Sequence, residues 1–309
     1  MYYNVLIICP EVTGGGEEYR SQQLIAFLSS RGINVLLLTK SGLFTVGKDE
    51  LRKKPLLKLP FLAYGRIVFG FKRWSIIPVY ILGIVARKCF YSVANEYEGK
   101  KWLEYFLRKK EVISISEKVY KSNLVIELGN NKYSETFVDW TREVTVKVLW
   151  IGKDNFHKGY DRFKSIVTAL EKVEFIVCGL FSDEEENWLQ SQANVRFLGW
   201  VDSIESIASE SLLYLQTSNQ EGFPNVLVEC RQLGIPIVAT NVGATSDIIL
   251  DTDILLCRNI SDEELMAKMN LAMTHYVEMR RNSILMIPEA KERFDENKMK
   301  EKYLELCLR

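Results

Sequence analysis

Residues 212–240 read LLYLQTSNQEGFPNVLVECRQLGIPIVAT, and their pattern decides the fold. Leu212 to Gln216 is a short apolar run, and so is Ile235 to Thr240. Between them Asn225 to Leu233 has the apolar spacing of a helix, and Gly234 stands where a helix stops. Apolar strands without alternation, joined through a helix, belong to a parallel sheet covered on both faces. The same grammar runs upstream. Lys147 to Ile151 is predicted as a strand, Tyr160 to Glu171 as a helix, and Glu174 to Cys178 as a strand ending at Gly179. Asp183 to Ser191 is predicted as a helix behind a Ser182 cap, Val195 to Leu198 as a strand and Ser203 to Ser209 as a helix. Together these make a doubly wound α/β unit.

The first forty residues begin another such unit. Tyr3 to Cys9 is a strand, Gly14-Gly15-Gly16 a turn, Glu17 to Ser30 a helix and Asn34 to Thr39 a second strand. Gly129 to Thr145 (GNNKYSETFVDWTREVT) is polar and aperiodic, and reads as a linker. A chain of 309 residues, 47% apolar, has room for two such cores. Its formal net charge of zero points to no polyanionic partner. Met1-Tyr2-Tyr3-Asn4 offers no basic start for a secretory signal. The six cysteines are scattered without a CxxC pair, and two histidines make no zinc pattern. These features predict free buried thiols in a reducing, cytosolic compartment.

Three stretches carry chemistry. In Glu221-Gly222-Phe223-Pro224-Asn225-Val226-Leu227-Val228-Glu229, two carboxylates stand eight residues apart with a helix starting between them. Pro224 suits a first helical turn, which leaves the N–H groups of Phe223, Asn225 and Val226 at the positive end of the helix. That end suits a phosphate. The carboxylates, up to about 12 Å apart if all eight residues were helical, are too far apart for a tight acid/base dyad. They suit two hydroxyl-rich groups flanking a diphosphate. Alone, this spacing also describes a capping Glu and an exposed one. The second stretch is Gly152-Lys153 just past a strand, with Lys158-Gly159 before a helix. Two cations there can clamp phosphate oxygens, or form a plain solvated loop. The third is Gly14-Gly15-Gly16-Glu17, which lets backbone approach a ligand but does not spell GxGxxG.

In order and spacing these stretches resemble the retaining GT-B glycosyltransferases of family 4 (glycosyl transferases group 1). The resemblance is dense from Lys147 to Thr252, weaker over Asn4 to Thr39, and returns at Phe294 to Leu306 as a closing helix. It implies an α/β, GT-B fold of two Rossmann-like domains facing a cleft, the N-terminal one shortened. The implied divisions are an acceptor-side domain over 1–140, a nucleotide-sugar-binding domain over 146–285 and a closing helix over 286–309. By position, Glu221 would contact the donor sugar and Glu229 the ribose. Gly222, Phe223, Pro224, Asn225 and Val226 would line the sugar and phosphate. Gly152 would lie beside the diphosphate, which Lys153 and Lys158 would bind. Trp200 and Val201 would lie against the base, and Gly15 and Gly16 would close on the diphosphate. The implied reaction retains anomeric configuration through an oxocarbenium-like state. It moves a hexose from a nucleotide-diphosphate sugar to a saccharide or lipid-linked saccharide, in surface polysaccharide biosynthesis, with no cofactor and no metal.

Lys153 stands where the family usually has Arg, which keeps the charge and loses the bidentate fork. The family often has a histidine in the N-terminal domain, whereas His157 and His275 both fall in the C-terminal half. The alternative is a catalytically weakened protein that binds a sugar nucleotide or a partner without efficient transfer. Asp251-Thr252-Asp253 spells the DxD of metal-dependent sugar transferases, but it follows Ile248-Ile249-Leu250 in an expected exposed turn and is read as a decoy. His157, between the lysines, reads as an exposed loop residue.

Residues 52–110 hold fourteen Lys or Arg against three acids, interleaved with aromatics. Three readings stand. These are basic helices with aromatics in the core, an interfacial segment on the anionic inner face of a membrane, and nucleic-acid binding, for which no RNA-binding signature appears. Ser75 to Ala86 is too short to span a bilayer.

Overall fold

The computed structural model describes residues 5–8, 16–39, 42–46, 51–54, 67–71, 88–93, 111–114, 124–125, 145–208 and 212–308. The chain divides into two compact units, Met1–Gly129 with Glu296–Arg309, and Asn130–Asp295. Each has its own sheet. The proposed linker falls outside the described residues except for Thr145, as do Gly15 and the run 75–86.

The first unit holds β1 (Val5–Ile8), β2 (Val35–Thr39), β3 (Gly42–Val46), β4 (Leu51–Lys54), β5 (Ile67–Phe71), β6 (Lys88–Val93), β7 (Glu111–Ser114) and β8 (Leu124–Val125). They lie in the order β4-β3-β2-β1-β5-β6-β7-β8. From β2 through β1 to β8 the pairs are parallel, but β2–β3 and β3–β4 are antiparallel. The repeated grammar did not signal this edge. Its cause is local: the chain from Thr39 to Gly42 is too short for a crossover helix. Helix α1 (Gly16–Ser30) takes Gly16 into its first turn, one residue earlier than expected, and buries Leu24, Ile25 and Leu28. The last helix of the chain, Glu296–Leu308, belongs to this unit, where Glu301 pairs with Arg31 at 2.6 Å.

The second unit holds β9 (Lys147–Lys153), β10 (Phe175–Leu180), β11 (Val195–Gly199), β12 (Leu212–Gln216), β13 (Ile237–Thr240) and β14 (Ile254–Leu256). Its order is β11-β10-β9-β12-β13-β14, with every described pair parallel. The chain winds outward from β9 to one edge, then returns to β12 and winds to the other. The direction therefore reverses between β9 and β12, and ligands of open α/β sheets bind at the carboxyl ends of the strands beside such a reversal. Helices α2 (Tyr160–Ala169), α3 (Asp183–Ser191), α4 (Asn225–Gln232), α5 (Thr245–Ile248) and α6 (Asp262–Thr274) flank the sheet, followed by α7 (Tyr276–Leu285) and α8 (Ile287–Arg293).

The core explains why these residues take these elements. Every residue of β12 and β13 is buried, as a parallel strand covered on both faces requires. Trp150 of β9 stacks on Phe163 of α2 at 4.5 Å between ring centres, and Phe163 meets Phe175 of β10 edge-on at 5.9 Å.

Three local expectations change. Ser182 stands at the N-cap of α3, but its hydroxyl makes no capping bond. It donates to Asp154 Oδ2 at 2.6 Å, joined by its backbone N–H at 2.8 Å, and these bonds lower the Asp154 carboxyl below its ordinary range. The expected helix after Ser203 is only a 3₁₀ turn, Ile204–Ile207. Among the described residues Cys178 and Cys230 are buried, whereas Cys257 is exposed and Cys307 half-buried.

Candidate functional site at the sheet reversal

The reversal point puts two loops side by side. One leaves β9 at Gly152-Lys153 and tightens into a 3₁₀ turn, Phe156–Lys158. The other leaves β12 and runs from Thr217 to Glu221 before α4. Asn155 caps the 3₁₀ turn, its side chain accepting from the Lys158 N–H at 3.0 Å. Gly159 ends the turn at φ 62, a left-handed conformation. A Cβ there would sit 2.0 Å from the Thr217 carbonyl oxygen, so glycine permits the two loops to touch.

The touch is dense. His157 carbonyl accepts from the N–H groups of Asn219 (2.9 Å) and Gln220 (3.2 Å). Asn219 Nδ2 donates to the Phe156 carbonyl at 2.7 Å. Thr217 Oγ1 donates to the Lys158 carbonyl at 2.9 Å and accepts from Trp150 Nε1 at 3.0 Å. Arg162 donates to the Thr217 carbonyl at 3.0 Å. At the centre, Glu221 Oε1 accepts from Lys158 Nζ and from Ser218 Oγ, each at 2.7 Å. Glu221 and Lys158, predicted from separate motifs, thus form one ion pair. Ser218, Thr217 and Asn219 went unnoticed in the sequence. Their only signal was the polar run Thr217-Ser218-Asn219 directly after an apolar strand.

Beneath this pair runs a buried polar layer. Thr240 Oγ1 donates to the Ser218 carbonyl at 2.7 Å. Gln216 Nε2 donates to Thr245 Oγ1 at 3.0 Å. Buried polar groups are tolerated when each finds a partner, and satisfied networks hold one geometry. The loop of Gly243 and Ala244 packs against the other side, with the Ala244 N–H donating to the Gly222 carbonyl at 2.8 Å.

The remaining predicted residues fall as follows. The helix α4 begins at Asn225 as expected, but Pro224 is its N-cap, with extended backbone (ψ 99), rather than part of its first turn. The first-turn N–H groups of Asn225 and Val226 stay at the positive end. Phe223 is buried, and its ring meets Phe294 at 6.2 Å, so only its backbone is available to a ligand. Glu229 lies about 6 Å further along α4 than Asn225 by helical rise, and is half-buried. Gly152 is buried, and a Cβ there would strike the Trp150 ring at 2.5 Å. Lys153, at the end of β9, is exposed, and so is His157. Trp200 is 63% exposed, its indole donating to Asp202 at 3.2 Å, with Val201 half-buried beside it. Gly16 opens α1 in the other unit.

The DxD stretch corrects one expectation. Asp251 and Thr252 are exposed, but Asp253 turns inward. Its carboxylate accepts from the N–H groups of Leu250 (2.9 Å) and Ile237 (3.1 Å), tying the turn to β13. Burial pushes this carboxyl up to about 6, against the pull of those bonds. It serves structure here. Among the described residues no cluster of His, Cys, Asp or Glu is placed to hold a metal ion, and no helix is long and apolar enough to cross a membrane.

Residues 145–275 match the family described as Glycosyl transferases group 1. An uncharacterised 41.2 kDa protein in the cps region of Klebsiella pneumoniae is 23% identical over 274 residues, covering 79% of this chain and 75% of that one. The capsular polysaccharide biosynthesis glycosyltransferase CapM of Staphylococcus aureus is 26% identical over 137 residues, 40% of this chain and 35% of CapM. Among solved structures, Anabaena Alr3699/HepE in complex with UDP superposes with a TM-score of 0.71 at 17% identity, over 98% of this chain and 99% of that one. The fold is therefore of the GT-B class.

Proposed function

We propose that this chain, whose residues 145–275 match the glycosyl transferases group 1, moves a hexose from a nucleotide-diphosphate sugar to a saccharide or lipid-linked saccharide. The observation that carries this is the Lys158–Glu221 pair at the sheet reversal, one turn ahead of the open end of α4. A lysine and the helix end suit a diphosphate, and a mostly buried carboxylate beside them suits sugar hydroxyls. Lys158 and Glu221 neutralise each other in their ion pair. A donor would take the ammonium with its phosphate and the carboxylate with its sugar. Lys153 would add a second cation, so charge on the leaving diphosphate is met by side chains rather than by a metal. Glu229 would hold the ribose, and Trp200 with Val201 the base. Retention of configuration follows from the same reading, as does a place in surface polysaccharide assembly, which the match to the capsular protein supports.

The N-terminal segment 52–110 would bring the chain to the anionic inner face of a membrane, where a lipid-linked acceptor lies. Sedimentation with anionic vesicles at low salt, and release at high salt, is the expected result. No sedimentation at low salt would remove that part.

The donor reading is tested by a thermal-shift panel of UDP, GDP and ADP with their common sugars, with and without magnesium. Uridine compounds come first, since the Anabaena structure holds UDP. A ligand at 100 to 1,000 times its Kd stabilises by about 3–4 kcal/mol. One base giving that shift without magnesium supports the reading, and no shift from any of them overturns it. The second reading, binding without efficient transfer, is favoured by one observation: both histidines lie in the second unit. Donor binding without sugar transfer would select it.

A further inference from the structure

Ser218 is buried, 3% exposed, in the loop that leaves β12 for Glu221. Its Oγ lies 2.7 Å from Glu221 Oε1. A carboxylate only accepts, so the hydroxyl is the donor. Lys158 Nζ reaches the same oxygen, also at 2.7 Å. Among the described residues both bonds land on Oε1, which leaves Oε2 to a substrate hydroxyl.

The two donors differ in what holds them. Lys158 carries its ammonium on a flexible four-carbon stem, and its side chain is 33% exposed. The diphosphate of a donor would draw that ammonium away from the carboxylate. Ser218 has a short side chain on a backbone that is tied in place. Its carbonyl accepts from Thr240 Oγ1 at 2.7 Å, and Thr240 is buried at the end of β13. On one side of it, Thr217 is bound to the Lys158 carbonyl and to Arg162 of α2. On the other, the Asn219 N–H donates to the His157 carbonyl. Three consecutive residues are thus anchored to β13, to α2 and to the 3₁₀ turn, and a network satisfied in this way holds one geometry. Glu221 has a longer side chain with several torsions, so its carboxylate takes its place from the donors it meets.

We infer that Ser218 is a positioning residue for Glu221: its hydroxyl keeps hold of Oε1 while the diphosphate takes Lys158, and so aims Oε2 at the donor sugar. This rests on the reading of Glu221 as the donor-sugar carboxylate. Thr240 acts one bond further back, by holding the Ser218 carbonyl. A hydroxyl that works only through Glu221 contributes nothing to binding a nucleoside diphosphate, which has no sugar for that carboxylate. It contributes to turnover, because a reacting group displaced by about 1 Å loses about a hundredfold in rate.

The test uses the full chain. Wild type is screened by thermal shift with UDP, GDP and ADP and their sugars, and the best-bound nucleotide sugar and its parent diphosphate become the probes. Ser218→Ala removes the hydroxyl and keeps the Thr240 bond, which goes to the backbone. Its affinity for the parent diphosphate should equal that of wild type. Its kcat, read as diphosphate release from the nucleotide sugar, should fall about tenfold to a hundredfold, the range for a lost hydrogen bond to a charged group. Added to Glu221→Gln, it should lower turnover by less than about threefold more, because residues that act as a unit are not additive. Thr240→Val frees the Ser218 carbonyl and should show the same split to a smaller degree. It carries the test if Ser218→Ala does not fold, which loss of the diphosphate thermal shift would reveal. A kcat within about threefold of wild type, equal losses of diphosphate affinity and turnover, or a loss that multiplies in full with that of Glu221→Gln overturns the inference and leaves the donor reading standing. A wild type that binds no nucleotide removes the donor reading, and one that binds but releases no diphosphate selects the second reading. Either result removes the role of Ser218 as well.

Discussion

Gly243→Ala should damage the site from outside it. Gly243 has φ 56, in the left-handed region, where an added Cβ costs roughly 1–2 kcal/mol of backbone strain. The Cβ would also stand 2.4 Å from the Glu221 carbonyl oxygen and 2.5 Å from that of Gly222. Both are backbone atoms and cannot rotate away. Ordinary contact requires the Glu221–Gly222 backbone to retreat by about 1 Å. That retreat stretches the Ala244 N–H bond to the Gly222 carbonyl, worth about 1 kcal/mol. The sum is roughly 2–4 kcal/mol. For a unit of this size 1 kcal/mol moves Tm by about 2–4 °C. Gly199→Ala is the control in the same unit. Its φ is 65, but its Cβ would meet nothing within 4 Å, so only the strain remains. Misplacement of a reacting group by about 1 Å costs about a hundredfold in rate. Chemical denaturation of both variants, with sugar-transfer rates for Gly243→Ala, checks the argument. A Gly243→Ala protein as stable as Gly199→Ala and near wild type in turnover would refute it.

Thr217→Val keeps shape but leaves the buried Trp150 indole N–H and the Lys158 carbonyl without their partner, at about 2–3 kcal/mol by denaturant titration. Thr217→Ser should stay within about 1 kcal/mol of wild type. Asp253 sets a pH dependence. Its carboxyl titrates at about 6 when folded against an ordinary 3.8, so the folded state holds the extra proton between those values. The stability it contributes is full below about pH 4 and is lost as pH rises through 6, by roughly 3 kcal/mol at most. Asp253→Asn should flatten the stability curve across pH 4 to 7, and an unchanged slope would contradict the assignment.

The second unit was legible because its central strands are buried on both faces and its turns carry glycine. Continuous apolar runs such as Leu212–Gln216 then leave little choice of element. The first unit was less legible. The edge strand β4, Leu-Arg-Lys-Lys, is mostly basic, as edge strands often are, and β3 is a five-residue run opening on a glycine, so no long apolar run announces this edge. Side-chain partnership was the least visible part. Sequence spacing placed Lys158 and Glu221 each in a loop ahead of a helix, but the contact between them depends on a sheet order that brings β9 beside β12. Ser182 and Asp253 show the same limit. Each sits where expected along the chain, and each spends its side chain on a partner distant in sequence, Asp154 and Ile237.

The central claim is that this site holds a nucleotide-diphosphate sugar between Glu221 and Glu229. Titration calorimetry with the sugar nucleotide chosen by the thermal-shift panel tests it, using wild type, Glu229→Ala and Glu221→Gln. Loss of the ribose contact should weaken binding by tenfold or more in Glu229→Ala, about 1.4 kcal/mol. Glu221→Gln should keep most of the nucleotide affinity and lose turnover. Equal affinity in wild type and Glu229→Ala would contradict the account.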